Sequence, residues 1–443
     1  MDRKVKIIGG GLAGSEAAIY LANSGIKVDL YEMRPVNQTP VHKTGLLAEL
    51  VCSNSLGSYS VENASGLLKE EIKILGSSLI PFAEKFSVPA GGALAVDRTL
   101  FAEYVTKIVQ EHEFINLIHD HVHDIHLHEY ENEMVLIATG PLTSDELAAS
   151  LINHTGQQYL HFYDAIAPIV EHDSINMNLA YKMDRYNKAP DSPYINCPMT
   201  EEEYENFYSY LISAPTIELK EFEKDVKYFE GCMPVEVLAK RGKDTLRYGP
   251  MKPVGLPDPR TGEIPYAVVQ LRQDNAIATL YNLVGFQTNL KWSAQKELLK
   301  LIPGLEKAAI IRYGVMHRNT YINSPLLLNQ TLEARFKEGL FFAGQITGVE
   351  GYTESIATGL LAAINIRRKL ESKTLLQLHD LCILGALTQY ITTADANNFQ
   401  PMNSNWGIIK PLDQKARNKK QRKQIYSKRS LEYIHSIKET VKI

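Results

Sequence analysis

The amino-terminal stretch constrains the fold of this chain more than any other. An apolar run, Val5–Ile8, leads into the turn Gly9-x-Gly11-x-x-Gly14, and a helix is predicted to follow over Ser15–Asn23. In such a turn the first glycine permits a tight bend, the second lets the backbone approach a pyrophosphate, and the third lets the helix pack on the strand. Because the helix N-terminus then faces the phosphates, the spacing predicts a dinucleotide-binding unit.

A second strand is predicted over Val28–Tyr31, and Glu32 follows it where a carboxylate that binds ribose belongs. Gly10, Leu12 and Ala13 complete the turn and are counted with its glycines as cofactor-binding candidates. A glycine-rich structural turn is the alternative interpretation. The order of strand, turn, helix, strand and acid argues against it.

At 443 residues the chain is too long for one ordinary core, so two domains, or one domain with an insertion, are expected. It has no apolar run of about 18 residues and no signal-peptide pattern, so a cytoplasmic location without membrane contact is expected. Cys52, Cys197, Cys232 and Cys382 lie far apart, without CxxC spacing or His/Cys clustering, which argues against a metal site.

The net charge of −4 hides a basic cluster between Lys410 and Arg429, in which Asp413 is the one acidic residue. Such a cluster can contact nucleic-acid phosphates, and a solvated surface helix is the alternative.

A strand, a glycine turn and a helix recur late in the chain, over Leu340–Ala343, Gly344–Gly348 and about Glu354–Arg368. The amides at such a helix start can meet a flavin. The run Met134–Ala138 is typical of the strand that closes the nucleotide half of a flavoprotein. A Tyr-rich middle, from about 163 to 313, suits an inserted substrate domain.

Two cysteines are candidates for chemistry. Cys232 precedes a helix predicted over Pro234–Arg241, whose dipole, with nearby Lys240, favours a nucleophilic thiolate. Cys52 enters a polar loop, predicted over Cys52–Ser65, that is close in sequence to the nucleotide turn. A small buried hydrophobic residue is the alternative for either cysteine. The polar clusters His317–Asn319 and Arg272–Asn275 are expected to contact cofactor or substrate, or to form a network between domains.

Nearly end to end, the chain resembles the folate/FAD-dependent RNA (uracil-5-)-methyltransferases, the TrmFO family. The matching strings include GGGLAGSEAA (9–18), LYEMRPV (30–36), ELVCSNSL (49–56), VPAGGALAVDR (88–98), FEGCMPVEVLAKRG (229–242), YAVVQLRQD (266–274), YGVMHRNTYINSP (313–325), LFFAGQITGVEGYTES (340–355) and NFQPMN (398–403).

The resemblance implies an enzyme that forms 5-methyluridine, with one carbon from 5,10-methylenetetrahydrofolate and FAD reduced by NADH or NADPH. The family's two functional cysteines match Cys232, expected to be the nucleophile on uracil carbon-6, and Cys52, expected to be the base or partner; the exchanged assignment is the alternative. A thiolate on carbon-6 turns the ring into an enolate, and a base must later remove the carbon-5 proton. The FAD contacts carried over are Gly9, Gly11, Gly14, Glu32, Arg34, Gly140, Gly344, Gln345, Gly351 and Tyr352.

The implied fold is α/β, with a Rossmann-like FAD-binding domain of the glutathione-reductase and GidA type. That domain is expected over residues 1–162 and 314–443, with an inserted α+β domain over 163–313.

The implied substrate is the T-loop uridine of tRNA, and no obligate protein partner is expected. The family usually has His-x-Thr-Asp before the first cysteine and Arg after SNSL, whereas this chain has Lys43-Thr44-Gly45 and Gly57, and Trp406 where Phe is common. Because of these departures, a uridine of large-subunit (23S) rRNA is the alternative target. Further alternatives are the GidA/MnmG branch, a flavin oxidoreductase acting on a small metabolite, and an RNA-binding protein with a vestigial flavin site.

Overall fold

The computed structural model describes residues 4–39, 41–125, 133–157, 159–185, 192, 194–217, 233–413 and 416–441. Within them the strands are, in chain order, β1 (Lys4–Ile8), β2 (Lys27–Glu32), β3 (Ser55–Ser58), β4 (Ser87–Val88), β5 (Ala93–Val96), β6 (Ile115–His119), β7 (Met134–Ile137), β8 (Leu160–Ala165), β9 (Ile169–Glu171), β10 (Tyr181–Lys182), β11 (Tyr194–Met199), β12 (Ala267–Gln273), β13 (Leu280–Leu283), β14 (Ile310–Arg312), β15 (Met316–Tyr321) and β16 (Leu340–Phe342).

The helices of the same residues are α1 (Leu12–Asn23), α2 (Ala64–Ile74), α3 (Leu79–Lys85), α4 (Arg98–Glu111), α5 (Asp145–Thr155), α6 (Glu201–Ser213), α7 (Val235–Lys240), α8 (Thr245–Tyr248), α9 (Trp292–Lys300), α10 (Ser324–Leu327), α11 (Tyr352–Leu370), α12 (Ile383–Thr393) and α13 (Lys419–Val441).

A five-stranded parallel sheet has the order β16-β7-β1-β2-β6. All apolar residues of β1 and the last three residues of β7 are buried, as expected for a parallel sheet covered on both faces. The strand order reverses at β1, since the chain passes to β2 on one side and later to β7 on the other. A ligand crevice is therefore expected at the carboxyl ends of β1 and β7. The predicted α/β, Rossmann-like fold class is confirmed.

Helices α1 and α11 bring the two glycine turns together. A Cβ added at Gly359 of α11 would lie 2.3 Å from the carbonyl oxygen of Ala13 in α1, so the helices cross at a distance that only glycine allows. A Cβ added at Gly344, where φ is +81°, would lie 3.0 Å from the Cβ of Ala13. The early and late turns are therefore neighbours in space.

The middle of the chain forms a second, antiparallel sheet of order β10-β11-β12-β13-β9-β14. Its helix α6 begins with a capping box between Thr200 and Glu203. An apolar core surrounds this sheet, distinct from the core around the parallel sheet. The chain enters and leaves this part through β8 and β15, which pair with each other. The limits drawn at residues 162 and 314 stay a prediction.

Two local predictions are wrong. The loop expected over Cys52–Ser65 contains β3, which pairs with β5, a partner that the polar local pattern does not indicate. Helix α7 begins at Val235, with Pro234 as its N-cap rather than its first residue.

Candidate functional site

A cleft follows the carboxyl ends of the parallel strands. It extends from the ends of β2 and β6, past the turn after β1, to the turn after β16. The predicted cofactor residues that line it are Gly9, Gly11, Leu12, Ala13, Glu32, Arg34, Gly140, Gly344, Gln345 and Tyr352. Gly10, Gly14 and Gly351 do not line the cleft, and a Cβ at any of them would lie at 2.5 Å or less from another protein atom.

The glycines of the early turn differ in what they accommodate. A Cβ at Gly14 would lie 1.8 Å from the carbonyl oxygen of Gly9, so the turn itself requires glycine there. Gly11 lines the cleft, and a Cβ there would meet no protein atom within 4 Å. Since the protein leaves this space free at the start of α1, the space fits the pyrophosphate that the motif predicts.

The Glu32 carboxylate is held at the end of β2. It accepts the N–H of Gly10 at 2.9 Å, the N–H of Arg34 at 3.0 Å and the Nε–H of Arg34 at 2.8 Å. Burial by itself would raise the pKa of Glu32, but these bonds and the Arg34 charge outweigh it and hold the pKa below its ordinary value. Glu32 is therefore an anionic acceptor at the cleft wall.

Arg34 is buried between two carboxylates. It pairs with Glu32 and, through Nη1, with Glu49 at 3.2 Å. Glu49 also accepts the backbone N–H groups of Lys43 at 2.8 Å and Thr44 at 3.1 Å. A buried guanidinium needs such partners, and Glu49, which lines the cleft, is a residue that the sequence reasoning missed.

Tyr352, the first residue of α11, connects the late glycine turn to the segment of Cys52. The Tyr352 hydroxyl accepts the backbone N–H of Cys52 at 2.8 Å and that of Ser53 at 3.2 Å. Burial raises the pKa of Tyr352, so its phenol stays neutral. Half-buried Cys52 thus lies beside the residue that closes this end of the cleft. Cys232 lies outside the described residues.

Segment Arg272–Asn275 contacts the segment of Cys52. The Asn54 amide donates to the carbonyl oxygens of Gln273 at 3.1 Å and Asp274 at 3.3 Å, and Arg98 pairs with Asp274 at 2.7 Å. The predicted polar network between the two halves of the chain is present in these contacts. The side chains of His317 and Arg318 lie outside what the structure describes.

The backbone of Gly57 has a conformation that favours glycine. Its φ is +85°, and a Cβ there would lie 2.4 Å from Ser65 Oγ and 3.8 Å from Lys69 Nζ. Lys69 is buried and donates to the carbonyl oxygens of Ser58 at 2.9 Å and Ser65 at 3.1 Å. Burial lowers the pKa of Lys69 to about 8. The ammonium group of Lys69 in α2 therefore lies beside Gly57.

A histidine cluster lies where β6 ends. Ligand atoms of His121, His123 and Glu146 lie within 4.8 Å of one another, and His121 lines the cleft. The signal in the sequence is the run of histidines at alternating positions from His119, which reasoning centred on the cysteines overlooked. The expectation of no metal stays a prediction.

The basic helix α13 packs on the loop that follows β3. The Lys423 ammonium donates to Asn63 Oδ1 at 3.3 Å, and the Ser427 hydroxyl donates to the carbonyl oxygen of Val61 at 2.6 Å. Trp406 stacks on Tyr426 at 5.6 Å between ring centroids. Several cations of the cluster remain exposed: Lys410, Arg417, Lys419, Lys420, Arg422 and Lys428. Lys415 lies outside the described residues.

Comparison with known proteins decides the family. A family profile described as "Glucose inhibited division protein A" matches residues 4–374. A protein of Bacillus licheniformis called "Methylenetetrahydrofolate--tRNA-(uracil-5-)-methyltransferase TrmFO" is 56% identical over 441 residues, covering 100% of both chains. One of the same name from Halalkalibacterium halodurans is 57% identical over 432 residues, covering 98% of both. The chain belongs to the TrmFO family. The predicted resemblance is confirmed, and with it the prediction of an enzyme.

The fold of this TrmFO chain is similar to that of Aquifex aeolicus GidA in its form II crystal. The TM-score is 0.69 at 17% identity, with 99% of this chain and 74% of that chain covered, so the likeness concerns the fold alone. Among the helices that the structure describes, none has both the length and the apolar character that crossing a membrane requires.

Proposed function

We propose that this chain methylates carbon-5 of the T-loop uridine of tRNA, taking the carbon from 5,10-methylenetetrahydrofolate with FAD as cofactor and NADH or NADPH as reductant. The observation that carries the proposal is the identity of 56% over 441 residues and of 57% over 432 residues to proteins whose names describe methylation of tRNA uracil at carbon-5 with methylenetetrahydrofolate.

FAD is assigned to the cleft at the carboxyl ends of β1, β2, β7 and β16. The free space at Gly11 would take its pyrophosphate, and the Glu32 carboxylate its ribose. Gly344, Gln345 and Tyr352 line the end of the cleft that would take the flavin ring. When bound, FAD would carry the one-carbon unit and supply electrons to it.

The chain itself supplies the groups that act on the uracil. Cys232 is the proposed nucleophile, whose thiolate forms a bond with carbon-6 and makes carbon-5 nucleophilic. Cys52 is the proposed base, which takes the proton from carbon-5 so that the bond between Cys232 and carbon-6 can break. The hydrogen bond from the backbone N–H of Cys52 to the Tyr352 hydroxyl supports a fixed position for this base.

The RNA is proposed to reach this site across α13. The exposed cations of α13 lie on the helix that packs against the loop after β3, and β3 begins shortly after Cys52 in the chain. Phosphates of a folded RNA held there would place it beside Cys52.

Transfer of label from methylenetetrahydrofolate, with NADPH, to unmodified tRNA and separately to unmodified large-subunit rRNA tests the proposal. Label in tRNA alone is expected. Label only in rRNA would overturn the tRNA assignment, and label in neither would overturn the activity.

The variant Cys232→Ala should abolish transfer and keep FAD bound, whereas Cys197→Ala, a control in the core of the second sheet, should keep both. Loss of flavin from the Cys232 variant alone would contradict its assignment as nucleophile.

A further inference from the structure

A tryptophan at the start of α9 has one exposed aromatic face. The indole ring of Trp292 stacks on the phenol ring of Tyr313, with 5.1 Å between the ring centroids and 19° between the ring planes. Tyr313 covers one face, yet Trp292 stays 58% exposed, so the opposite face of the indole is open to solvent. Aromatic rings bind one another by stacking, and this face can accept a further ring.

The segment that leads into α9 is bonded to both sides of the stretch that contains the proposed nucleophile. The carbonyl oxygen of Asn289 accepts the N–H of Ile217 at 2.9 Å, and that of Gln287 accepts the N–H of Val235 at 2.7 Å. In the sequence the proposed nucleophile lies between residues 217 and 235. Trp292 therefore follows closely after a segment that anchors both flanks of this stretch.

Tyr313 is connected in a similar way to the segment of the proposed base. It follows Arg312, whose Nη2 donates to the carbonyl oxygen of Val51 at 2.7 Å. Val51 lines the cleft and directly precedes the proposed base. On the other side of Tyr313, buried Gln295 of α9 accepts the N–H of Gly314 and donates to its carbonyl oxygen, both at 2.8 Å. The two stacked rings are therefore tied to chain segments next to both cysteines.

The charges around the stacked rings suit a polyanion. Lys291 and Lys296 are exposed on either side of the indole in the chain, and the ammonium of Lys296 lies 5.9 Å from the centroid of the Tyr313 ring. The acidic residue beside them, Glu297, is paired with Lys300 at 2.7 Å. Surfaces that bind unpaired nucleic acid combine aromatic rings, which stack on bases, with cations that neutralise phosphates.

We propose that Trp292 binds the RNA substrate by stacking its exposed face on an unpaired nucleobase close to the target uridine. This rests on the proposed function. A uridine that reaches the cysteines must leave the stack of its neighbours, which costs free energy. An indole that stacks on an adjacent unpaired base offsets part of that cost and holds the RNA loop beside the two cysteine segments.

The experiment measures the affinity of the FAD-bound enzyme for unmodified tRNA and for a fully paired RNA duplex, at several salt concentrations and without folate. Trp292→Ala should weaken tRNA binding by about tenfold or more, the usual effect of losing one stacked base. The slope of log affinity against log salt should not change, because the indole neutralises no phosphate. Duplex binding should not change either, because a duplex offers no unpaired base.

Two further variants separate stacking from apolar bulk. Trp292→Phe keeps an aromatic ring and should restore most of the affinity, whereas Trp292→Leu should bind tRNA as weakly as Trp292→Ala. Tyr248→Ala is the matched control, because Tyr248 is an exposed aromatic residue at the end of α8, and this variant should bind like the wild type. If Trp292→Ala does not retain FAD, the comparison of Trp292→Leu with Trp292→Phe takes its place.

Equal affinities of the wild type and Trp292→Ala for tRNA would overturn the proposal, and that result is also expected if the indole stacks on folate instead. Equal losses for tRNA and duplex would overturn it, as would recovery of affinity by leucine as well as phenylalanine. Since no methyl transfer is measured, failure of the proposed function in the labelling experiment is distinct from each of these results.

Discussion

The hydroxyl of Tyr352 lies 2.8 Å from the backbone nitrogen of Cys52 and accepts its N–H, although the two residues are 300 positions apart in the chain. The same oxygen accepts the N–H of Ser53 at 3.2 Å. One side chain at the start of α11 therefore fixes the segment that carries the proposed base, and the late glycine turn controls the position of the early cysteine.

Replacing Tyr352 by Phe should leave both N–H groups without this acceptor. We expect the free energy of unfolding to fall by about 1–3 kcal/mol and methyl transfer to slow, with FAD retained. Denaturant unfolding and the transfer assay measure the two effects. Tyr59→Phe, which removes a bond from an exposed tyrosine to Glu84, is the control and should change stability by less than about 0.5 kcal/mol. Equal effects of the two variants would contradict the assignment.

Gly11→Val should expel FAD without unfolding the chain. A Cβ at Gly11 meets no protein atom within 4 Å, so the new side chain would occupy the space assigned to the pyrophosphate. The ratio of flavin to protein absorbance measures the loss. Gly92→Val is matched, because a Cβ at Gly92 also meets nothing within 4 Å and Gly92 does not line the cleft. Unchanged flavin content in the Gly11 variant would show that the pyrophosphate lies elsewhere.

The nucleotide turn could be predicted from sequence because its requirements are local. The spacing of Gly9, Gly11 and Gly14 fixes the bend, and the length of the next strand places Glu32 at the same sheet edge. Contacts between distant segments leave no such pattern. In the sequence nothing distinguishes Glu49 from the other acidic residues, because its pairing with Arg34 is visible only in the structure. The segment around Cys52 is predicted to be a loop because its partners in β5 and β12 lie far along the chain.

The contacts of Tyr352 and of Arg272 could not be predicted from the sequence. Tyr352 is a predicted FAD contact on the basis of the family resemblance alone. Arg272 belongs to a polar cluster whose partner the sequence does not specify. In the structure Arg272 bonds to Asn54, and the nearby Asp274 pairs with Arg98 at the start of α4. Which polar cluster meets which loop is decided by tertiary packing.

Glu71 should make stability fall as pH rises through the weakly acidic range. It is buried in α2 and accepts the N–H groups of Ile383 and Leu384, the first turn of α12, and the hydroxyl of Ser430. Burial outweighs these bonds and raises its pKa to about 7 from an ordinary value of 4.5. Because the folded state then binds the proton more tightly than the unfolded state, the stabilisation is full below about pH 4.5 and is lost by about pH 7.

Glu71→Gln removes this titration. Relative to the variant, the wild-type chain should lose on the order of 1–3 kcal/mol of unfolding free energy between pH 5 and 7, measured by urea unfolding at each pH. Glu103→Gln, at an exposed position of α4, should follow the wild-type curve. Parallel curves for the wild type and the Glu71 variant would refute the raised pKa.

Reversing charge on α13 should weaken RNA binding without affecting the fold. Lys419 and Lys420 are exposed at the start of the helix, so the Lys419→Glu/Lys420→Glu variant should keep its stability within about 0.5 kcal/mol. For each phosphate that the variant no longer neutralises, the slope of log affinity against log salt should fall in magnitude by about 0.7–0.9.

Titration of labelled, unmodified tRNA at several salt concentrations measures that slope. The control variant Lys27→Glu/Lys107→Glu makes the same change in net charge at exposed positions of β2 and α4, away from α13. If α13 contacts the phosphates, only the α13 variant changes the slope strongly. Equal losses in both variants would mean that net charge alone attracts the RNA, and α13 would then be a solvated surface helix.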